Sequence, residues 1–343
     1  SNSSYYALGA NIECLIIGTG LTGVGNTLDN TLIGNSRNNS IFGDSGNDWI
    51  TGGGGSDTLN GGLGNDTMIG GTLNDYFVVN STNDSIVGGG GSDGIISMMS
   101  SYTLGSGFNI LVLDREGNGA ASGTGNSGNN SLTGNSLRNT LNGGGGTDTL
   151  IGGTNDDYYY IDSASDVIIE AVSEGTDTVE FSGFLTYTLT NHVERLVCGS
   201  SAFNGIGNSL NNTLTGNVSG NSLFGGGGND WLFGGAGDDT LVGATNPSRL
   251  TIDTLTGDTG NDLFVLGDAS GILYDDLNFY SSGTADYAVI MDFAAGDRLQ
   301  LKSGSYKFGA VSGGSQDLFY DYGTSGFQPE LIAKFQGTSK TFT

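Results

Sequence analysis

Between residues 25 and 96 one nine-residue unit is written eight times without a slip: GNTLDNTLI, GNSRNNSIF, GDSGNDWIT, GGGGSDTLN, GGLGNDTMI, GGTLNDYFV, VNSTNDSIV and GGGGSDGII. The eighth place of each unit is apolar: Leu32, Ile41, Ile50, Leu59, Met68, Phe77, Ile86 and Ile95. The sixth place is Asn30, then Asn39, then Asp48, Asp57, Asp66, Asp75, Asp84 and Asp93. One regular apolar place in nine is too sparse for an ordinary globular sheet. A fixed period of this kind marks a coil of stacked short strands, each unit supplying a glycine-rich turn and one inward side chain.

The nines return twice. A second run has frames at 125, 134, 143, 152 and 161, then at 172 after two extra residues; its sixth places are Asn130, Asn139, Asp148, Asp157, Asp166 and Asp177. A third run has frames at 207, 216, 225 and 234, then at 248 and 257 after a five-residue insert containing Pro247; its sixth places are Asn212, Asn221, Asp230, Asp239, Asp253 and Asp262. Strand-like lead-ins precede the later runs, at Tyr102-Thr-Leu104 and Tyr187-Thr-Leu189. The expected fold is therefore all-β, a parallel β-solenoid in three tandem modules, 1–96, 97–180 and 181–266. From about 267 the nines stop. Alternating apolar residues in DYAVIMDFAAGDRLQL and beyond predict a β-rich capping domain over 267–343.

Composition narrows the function. The 343 residues include 64 Gly and 2 Pro without a G-X-Y period, which rules out collagen and calls for many tight turns. The net charge of −26, with all four lysines (Lys302, Lys307, Lys334, Lys340) near the C-terminus, excludes a nucleic-acid partner. No apolar run reaches the roughly 18 residues of a membrane span. The chain lacks a starting Met and a signal peptide, so we expect a processed N-terminus or the end of a longer chain. Cys14 and Cys198 read as two free thiols. Gly18-Thr-Gly20-Leu-Thr-Gly23 imitates a dinucleotide fingerprint, but no helical period follows it.

If two nines make one turn of the coil, strands stack at about 4.8 Å and the first run stands roughly 19 Å tall. Each buried Leu or Ile then contributes about 1.5–3 kcal/mol, modest against the entropy of ordering nine residues rich in Gly. The same winding stacks Asp48, Asp66 and Asp84 on one edge and Asp57 with Asp75 on the other. Two carboxylates about 5 Å apart repel by about 3 kcal/mol at an effective dielectric of 20. A hard dication between turns reverses that sign, and turn carbonyls freed by Gly complete an oxygen shell suited to Ca²⁺ rather than Mg²⁺. Zinc lacks its ligands, with one His and no paired Cys. Frames with Asn at the sixth place are expected to close without metal or with weaker sites, giving each run a dry half and a calcium half.

The stretches GGGGSDTLNGGLGNDTMIGG, GGGGTDTLIGG and GGGGNDWLFGGAGDDTLVG resemble RTX proteins, the hemolysin-type calcium-binding nonapeptide family. That resemblance implies a parallel β-roll with several Ca²⁺ ions between its turns. It implies Asp48, Asp57, Asp66, Asp75, Asp148, Asp157, Asp166, Asp230, Asp239, Asp253 and Asp262 as carboxylate ligands. It implies turn carbonyls from Gly43, Gly46, Gly52, Gly53, Gly55, Gly61, Gly64, Gly143, Gly144, Gly146, Gly225, Gly226, Gly228, Gly234 and Gly237. VNSTNDSIV lacks the turn glycines, which leaves Asp84 and Asp93 outside the ligand set. The family is exported by type I secretion and folds on meeting external calcium.

Family alone does not give activity. His192 is the only histidine, HExxH and GxSxG are absent, and we expect no enzyme. The leading expectation is a secreted structural protein of the cell surface, in a layer, sheath or fibre; fibrillar members such as oscillin are the comparison. Self-association into a layer or filament is expected, and cell-surface polysaccharide is a candidate partner. Alternatives are a non-catalytic C-terminal secretion and folding module of a larger secreted enzyme, toxin or adhesin, and a lectin or ice-binding face on the Thr-rich strands.

Overall fold

The computed structural model describes residues 5–114, 121–183, 186–201, 203–244, 251–266, 287–294, 297–301, 305–308, 315–321 and 330–336. These residues form strands and turns and contain no helix. Each nine supplies a turn and a short strand, as in Thr31–Ile33, Ser40–Phe42, Trp49–Gly54 and Thr58–Asn60. Consecutive strands go to opposite flanks, and each pairs in parallel with the strand two units on. Leu32 lies beside Ile50, Ile50 beside Met68 and Met68 beside Ile86. On the other flank Ile41 lies beside Leu59, Leu59 beside Phe77 and Phe77 beside Ile95. One turn of the coil is two nonapeptides, as the repeat predicted.

The chain forms two compact units, Ser1–Tyr159 with Ser165–Ile169, and Tyr160–Ala164 with Glu170–Thr343. In the first, one flank is a ten-stranded parallel sheet from Tyr5–Ala7 to Val167–Ile169. It runs through residue 97 unbroken, since Ile95 pairs with both Phe77 and Leu111. The other flank changes sheet there. A five-stranded sheet ends at Ser85–Gly89, and Ser101–Thr103, Ala121–Thr124 and Asn139–Asn142 belong to a different one. The second lead-in thus interrupts one flank and continues the other.

In the second unit, Thr178–Phe181, Arg195–Cys198, Thr213–Thr215, Trp231–Ala236, Ile252–Thr259 and Tyr287–Ile290 form one parallel ladder. Thr186–Thr188, Asn204–Ile206, Ser222–Gly226, Thr240–Ala244, Leu263–Val265 and Arg298–Gln300 form the other. The apolar places on either side of the five-residue insert align, Leu232 with Leu255 and Leu241 with Phe264. The coil also continues into the stretch that the sequence set apart as a tail. Val289 pairs with Thr254, and Leu299 with Phe264. Glu330–Gln336 adds one more parallel strand, followed by antiparallel Ser315–Asp321 and Ser305–Phe308.

The core is a single file of eighth-place side chains from each flank. Leu32, Ile41, Ile50, Leu59, Met68, Phe77, Leu132, Leu150, Leu214, Leu232 and Phe264 are fully buried. Ile86, on the last strand of the five-stranded sheet, is half-buried because nothing in that sheet stacks beyond it. The turns are shaped by an alternation of backbone hand. The second and fourth places take positive φ, 108° at Gly53 and 98° at Gly55, 103° at Gly226 and 102° at Gly228. Leu73 occupies a fourth place with φ 74° and is 59% exposed, so its left-handed backbone is not offset by burial. Leu73→Gly is expected to stabilise the calcium-loaded protein by about 1 kcal/mol in urea denaturation. Leu63→Gly, at a neighbouring third place without positive φ, should instead destabilise it by roughly 0.5–1 kcal/mol. Equal shifts for the two would reject the strain argument.

Candidate metal centres

The sixth places lie at the turn edges of the coil and are buried: Asn30 and Asn39, Asp48 and Asp57, Asp66 and Asp75, Asp148 and Asp157, Asp230, Asp239, Asp253 and Asp262 are all nearly inaccessible. Asn and Asp solve this burial differently. An Asn closes its own turn. Asn30 Oδ1 accepts from the Asn26 amide at 2.8 Å, and its Nδ2 donates to Asn26 Oδ1 at 3.2 Å. Asn39 repeats the bond to Asn35 at 2.8 Å and sends its Nδ2 to the carbonyl of Gly20 in the preceding turn at 3.3 Å. The second-place Asn completes the set, since Asn26 Nδ2 donates to the carbonyls of Gly9 and Ile12. Asn208 and Asn212 repeat the arrangement in the second unit. These side-chain amides find their partners within the protein, whereas Nδ2 of Asn135, in the second run, is buried without one.

An Asp instead reaches to the preceding turn with one oxygen. Asn30 donates its amide to Asp48 Oδ1 at 2.7 Å, Asp48 to Asp66 at 2.9 Å and Asp66 to Asp84 at 3.1 Å. The opposite edge runs from Asn39 to Asp57, Asp75 and Asp93. Further along, Asn130 donates to Asp148, Asp148 to Asp166, and Asn139 to Asp157. In the second unit one edge runs from Asn212 to Asp230 and Asp253, the other from Asn221 to Asp239, Asp262 and Asp297.

The second carboxylate oxygen is left over. Oδ2 of Asp48, Asp57, Asp66, Asp75, Asp230 and Asp239 is buried and has no hydrogen-bond partner. A buried oxygen that carries charge and accepts nothing is costly. Each of these atoms points to the first-place glycine of its own turn. A Cβ on Gly43 would collide with Asp48 Oδ2 and with the carbonyl oxygen of Gly61. Gly52 is placed likewise against Asp57 Oδ2 and Gly70, Gly225 against Asp230 Oδ2 and Gly243, and Gly234 against Asp239 Oδ2 and Gly257. A carboxylate oxygen and a carbonyl oxygen from the next turn thus share a cradle kept open by the missing side chain. Gly61 and Gly143 lie directly against the carboxylates of Asp66 and Asp148. The other turn glycines that the sequence singled out, Gly46, Gly53, Gly55, Gly64, Gly144, Gly146, Gly226, Gly228 and Gly237, have positive φ and lie against the backbone of the preceding turn.

The donor set is all oxygen, anionic at the edge and dipolar from the backbone, which fits a hard cation with a wide coordination shell. A family model for the RTX calcium-binding nonapeptide repeat matches residues 24–59, 33–68, 69–97, 124–160, 206–241 and 251–273. The chain is an RTX-repeat protein. No curated protein matches it. The RTX repeats bind Ca²⁺, and the stacked acidic places provide for several ions. When bound, the ion supplies positive charge where the orphaned Oδ2 atoms converge with turn carbonyls. RTX-repeat proteins are typically secreted, and among the described residues no helix is long and apolar enough to cross a membrane.

Two positions in the ladders, Glu194 and Asp297, escaped the sequence, and a third, Asp93, was read as a sixth place but left outside the ligand set. Asp93 is buried and receives the Asp75 amide, although its neighbouring frame lacks glycine. Glu194 accepts the Asp177 amide at 2.9 Å, in a lead-in without turn glycines. Asp297 accepts the Asp262 amide at 2.9 Å and, through Oδ2, the Ala294 amide. Counted from Asp292, the stretch DFAAGDRLQ has Asp297 at its sixth place and Leu299 at its eighth. That register, rather than glycine content, was the available signal.

Burial raises the carboxylate pKa values of the ion-free chain. Asp48, Asp75 and Asp239 rise from 3.8 to about 6 and Asp230 to about 8; the bond from the preceding amide lowers each, and the next carboxylate in the stack raises it again. Asp57, Asp66 and Asp262 also rise, burial first.

Two outcomes follow for this RTX-repeat protein. EGTA should collapse the β-type circular dichroism. Asp57→Asn and Asp66→Asn should each reduce the calcium count by titration calorimetry. Asn39→Ala should leave the count unchanged while costing about 1–3 kcal/mol for its buried hydrogen bonds. An unchanged count in the Asp variants would reject the assignment. In EGTA, stability should also depend on pH. Below 3.8 folded and unfolded chains both hold their protons, but between 3.8 and about 6, and to about 8 at Asp230, only the folded chain does. Folding of the ion-free chain should therefore weaken as pH rises from 4 to 8, so the collapse in EGTA should be least near pH 4 and complete by pH 8, read as β-type circular dichroism; a signal in EGTA that grows with pH would contradict the burial of these groups.

Proposed function

We propose that this protein is a non-enzymatic structural component of the cell surface, in a layer, sheath or fibre, whose rolls fold on external Ca²⁺ and then self-associate. The observation that carries the reading is how much of the described chain is coil. In each unit the described strands from Tyr5–Ala7 to Arg298–Gln300 are rungs of parallel ladders. Rungs of this kind offer flat faces and repeated edges. The orphaned Oδ2 atoms tie its rigidity to the ion. In calcium-poor surroundings the acidic edges repel; in calcium-rich surroundings they are clamped, which suits an element that must stay pliable until it is outside.

Self-association fits the same geometry. Cys14–Ile16 is the end strand of the five-stranded sheet and pairs with Thr31–Ile33 on one side. End strands of this kind accept further strands. The competing reading, a secretion and folding module of a larger enzyme, toxin or adhesin, needs the folded roll but no assembly. Electron microscopy and light scattering of the calcium-loaded protein separate the two. We expect ordered sheets or filaments that EGTA disperses. Monodisperse monomers at high concentration would reject the surface-assembly reading in favour of the module.

A further inference from the structure

Both tryptophans of the chain stand at the same place of the repeat, directly after the ladder residues Asp48 and Asp230. This seventh place faces away from the core that holds the eighth, and in most units it is Thr or Ser. Trp49 is 50% exposed and Trp231 is 56% exposed. A solvated face is served by Thr; two large rings left in water at equivalent positions ask for a ligand.

The surroundings of Trp231 define its chemistry. Strand register sets Thr213 on one side of it and Thr254 on the other. Two residues on, Phe233 lies between Thr215 and Thr256. The Trp231 and Phe233 rings have centroids 6.4 Å apart and are tilted by 60°. Three outward pairs from Thr-Leu-Thr, Trp-Leu-Phe and Thr-Leu-Thr thus make an aromatic strip with two hydroxyls on each side. Across three strands the patch spans about 10 Å, and along them about 7 Å, the dimensions of one or two sugar rings. None of the six side chains is charged, in a chain of net charge −26. A polyanion is repelled by the remainder of the protein. A neutral polyhydroxylated polymer meets no such obstacle. Its ring C–H faces stack on the aromatics, and its hydroxyls pair with Thr hydroxyls at the strand spacing.

We propose that the Trp231–Phe233 face binds a neutral polysaccharide, and that Trp49, set between Thr31 and Thr67, is a second platform of the same kind in the first unit. This deepens the surface reading above, because a surface glycan is what an extracellular layer meets, yet the platform itself requires no assembly.

The test is retention of the calcium-loaded full chain on insoluble cellulose and chitin, measured by depletion, with albumin as control. Retention on at least one polymer is expected. Trp231→Ala with Phe233→Ala should weaken it about tenfold, the scale of a lost stacking contact, with circular dichroism and calcium count unchanged. Trp49→Ala should lower it further. No retention above albumin on either polymer would overturn the proposal, as would equal retention by the variants. Light scattering of the same samples without polymer reads assembly separately. Retention by monodisperse monomers keeps the platform and rejects the layer; variants that lose assembly and show no loss of retention would make the face a subunit contact and overturn the platform.

Discussion

The constraint that organises this molecule is a carboxylate with one oxygen satisfied and one stranded. At Asp48, Asp57, Asp66, Asp75, Asp230 and Asp239 the Oδ1 atom is fixed by an amide of the preceding turn, so the side chain cannot swing out to water. Its Oδ2 atom is then held in a buried place with no donor in the protein. The chain contains its own control. Where the same position is Asn, the amide nitrogen finds an acceptor in its own turn or in the preceding one. Evolution of a neutral coil was thus open at every rung. Keeping Asp in its place makes sense only if something positive is bound, and the thin core, one side chain per rung on each flank, cannot offset several desolvated carboxylates alone.

Much of this was legible because the period is rigid. A slip of one residue in a strand turns its whole inward set outward, so eight consecutive units in phase already specify that Leu32 must lie beside Ile50 and Ile41 beside Leu59. The five-residue insert could be read through for the same reason: beyond it Leu255 and Phe264 return to phase. What stayed hidden follows from reading glycine as the marker of a rung. Glycine is needed where φ is positive or where an oxygen occupies the Cβ space. The ladder itself needs only an acceptor at the sixth place and an apolar side chain at the eighth. Glu194 and Asp297 meet those two demands without the glycines and so carried no visible signature. The lead-in at Tyr102 marked a boundary after residue 96, but no residue type told that only one flank would change sheet after Ser85–Gly89.

The order of units within each run has a physical consequence. Asn frames come first and Asp frames follow, and the amide of the last Asn on each edge donates to the first Asp, Asn30 to Asp48 and Asn39 to Asp57, Asn212 to Asp230 and Asn221 to Asp239. The neutral turns are therefore more than a dry segment. They close with internal bonds and so present, without any ion, a formed edge whose next donors already point at the first carboxylate. A coil nucleus is the expensive step, because a first rung fixes many residues for few contacts. Placing self-sufficient rungs at the start of each run lets the ion-dependent rungs add to an existing template.

The same alternation along a strand separates the two properties that an extracellular roll must combine. Charge is gathered at the turn edges, where Asp48, Asp57, Asp230 and Asp239 are buried against backbone. The side chains one and three places later, such as Trp49 and Thr51 or Trp231 and Phe233, carry no charge and face outward from the flanks. Because adjacent residues of a strand point to opposite sides, the outer face can change from Thr to Trp without disturbing either the core below it or the acidic edge beside it. Calcium then governs whether the face exists as a flat surface, while the residues of the face govern what it touches. A ligand that needs several rungs in register would sense the ion through the backbone alone, with no contact between the two sites.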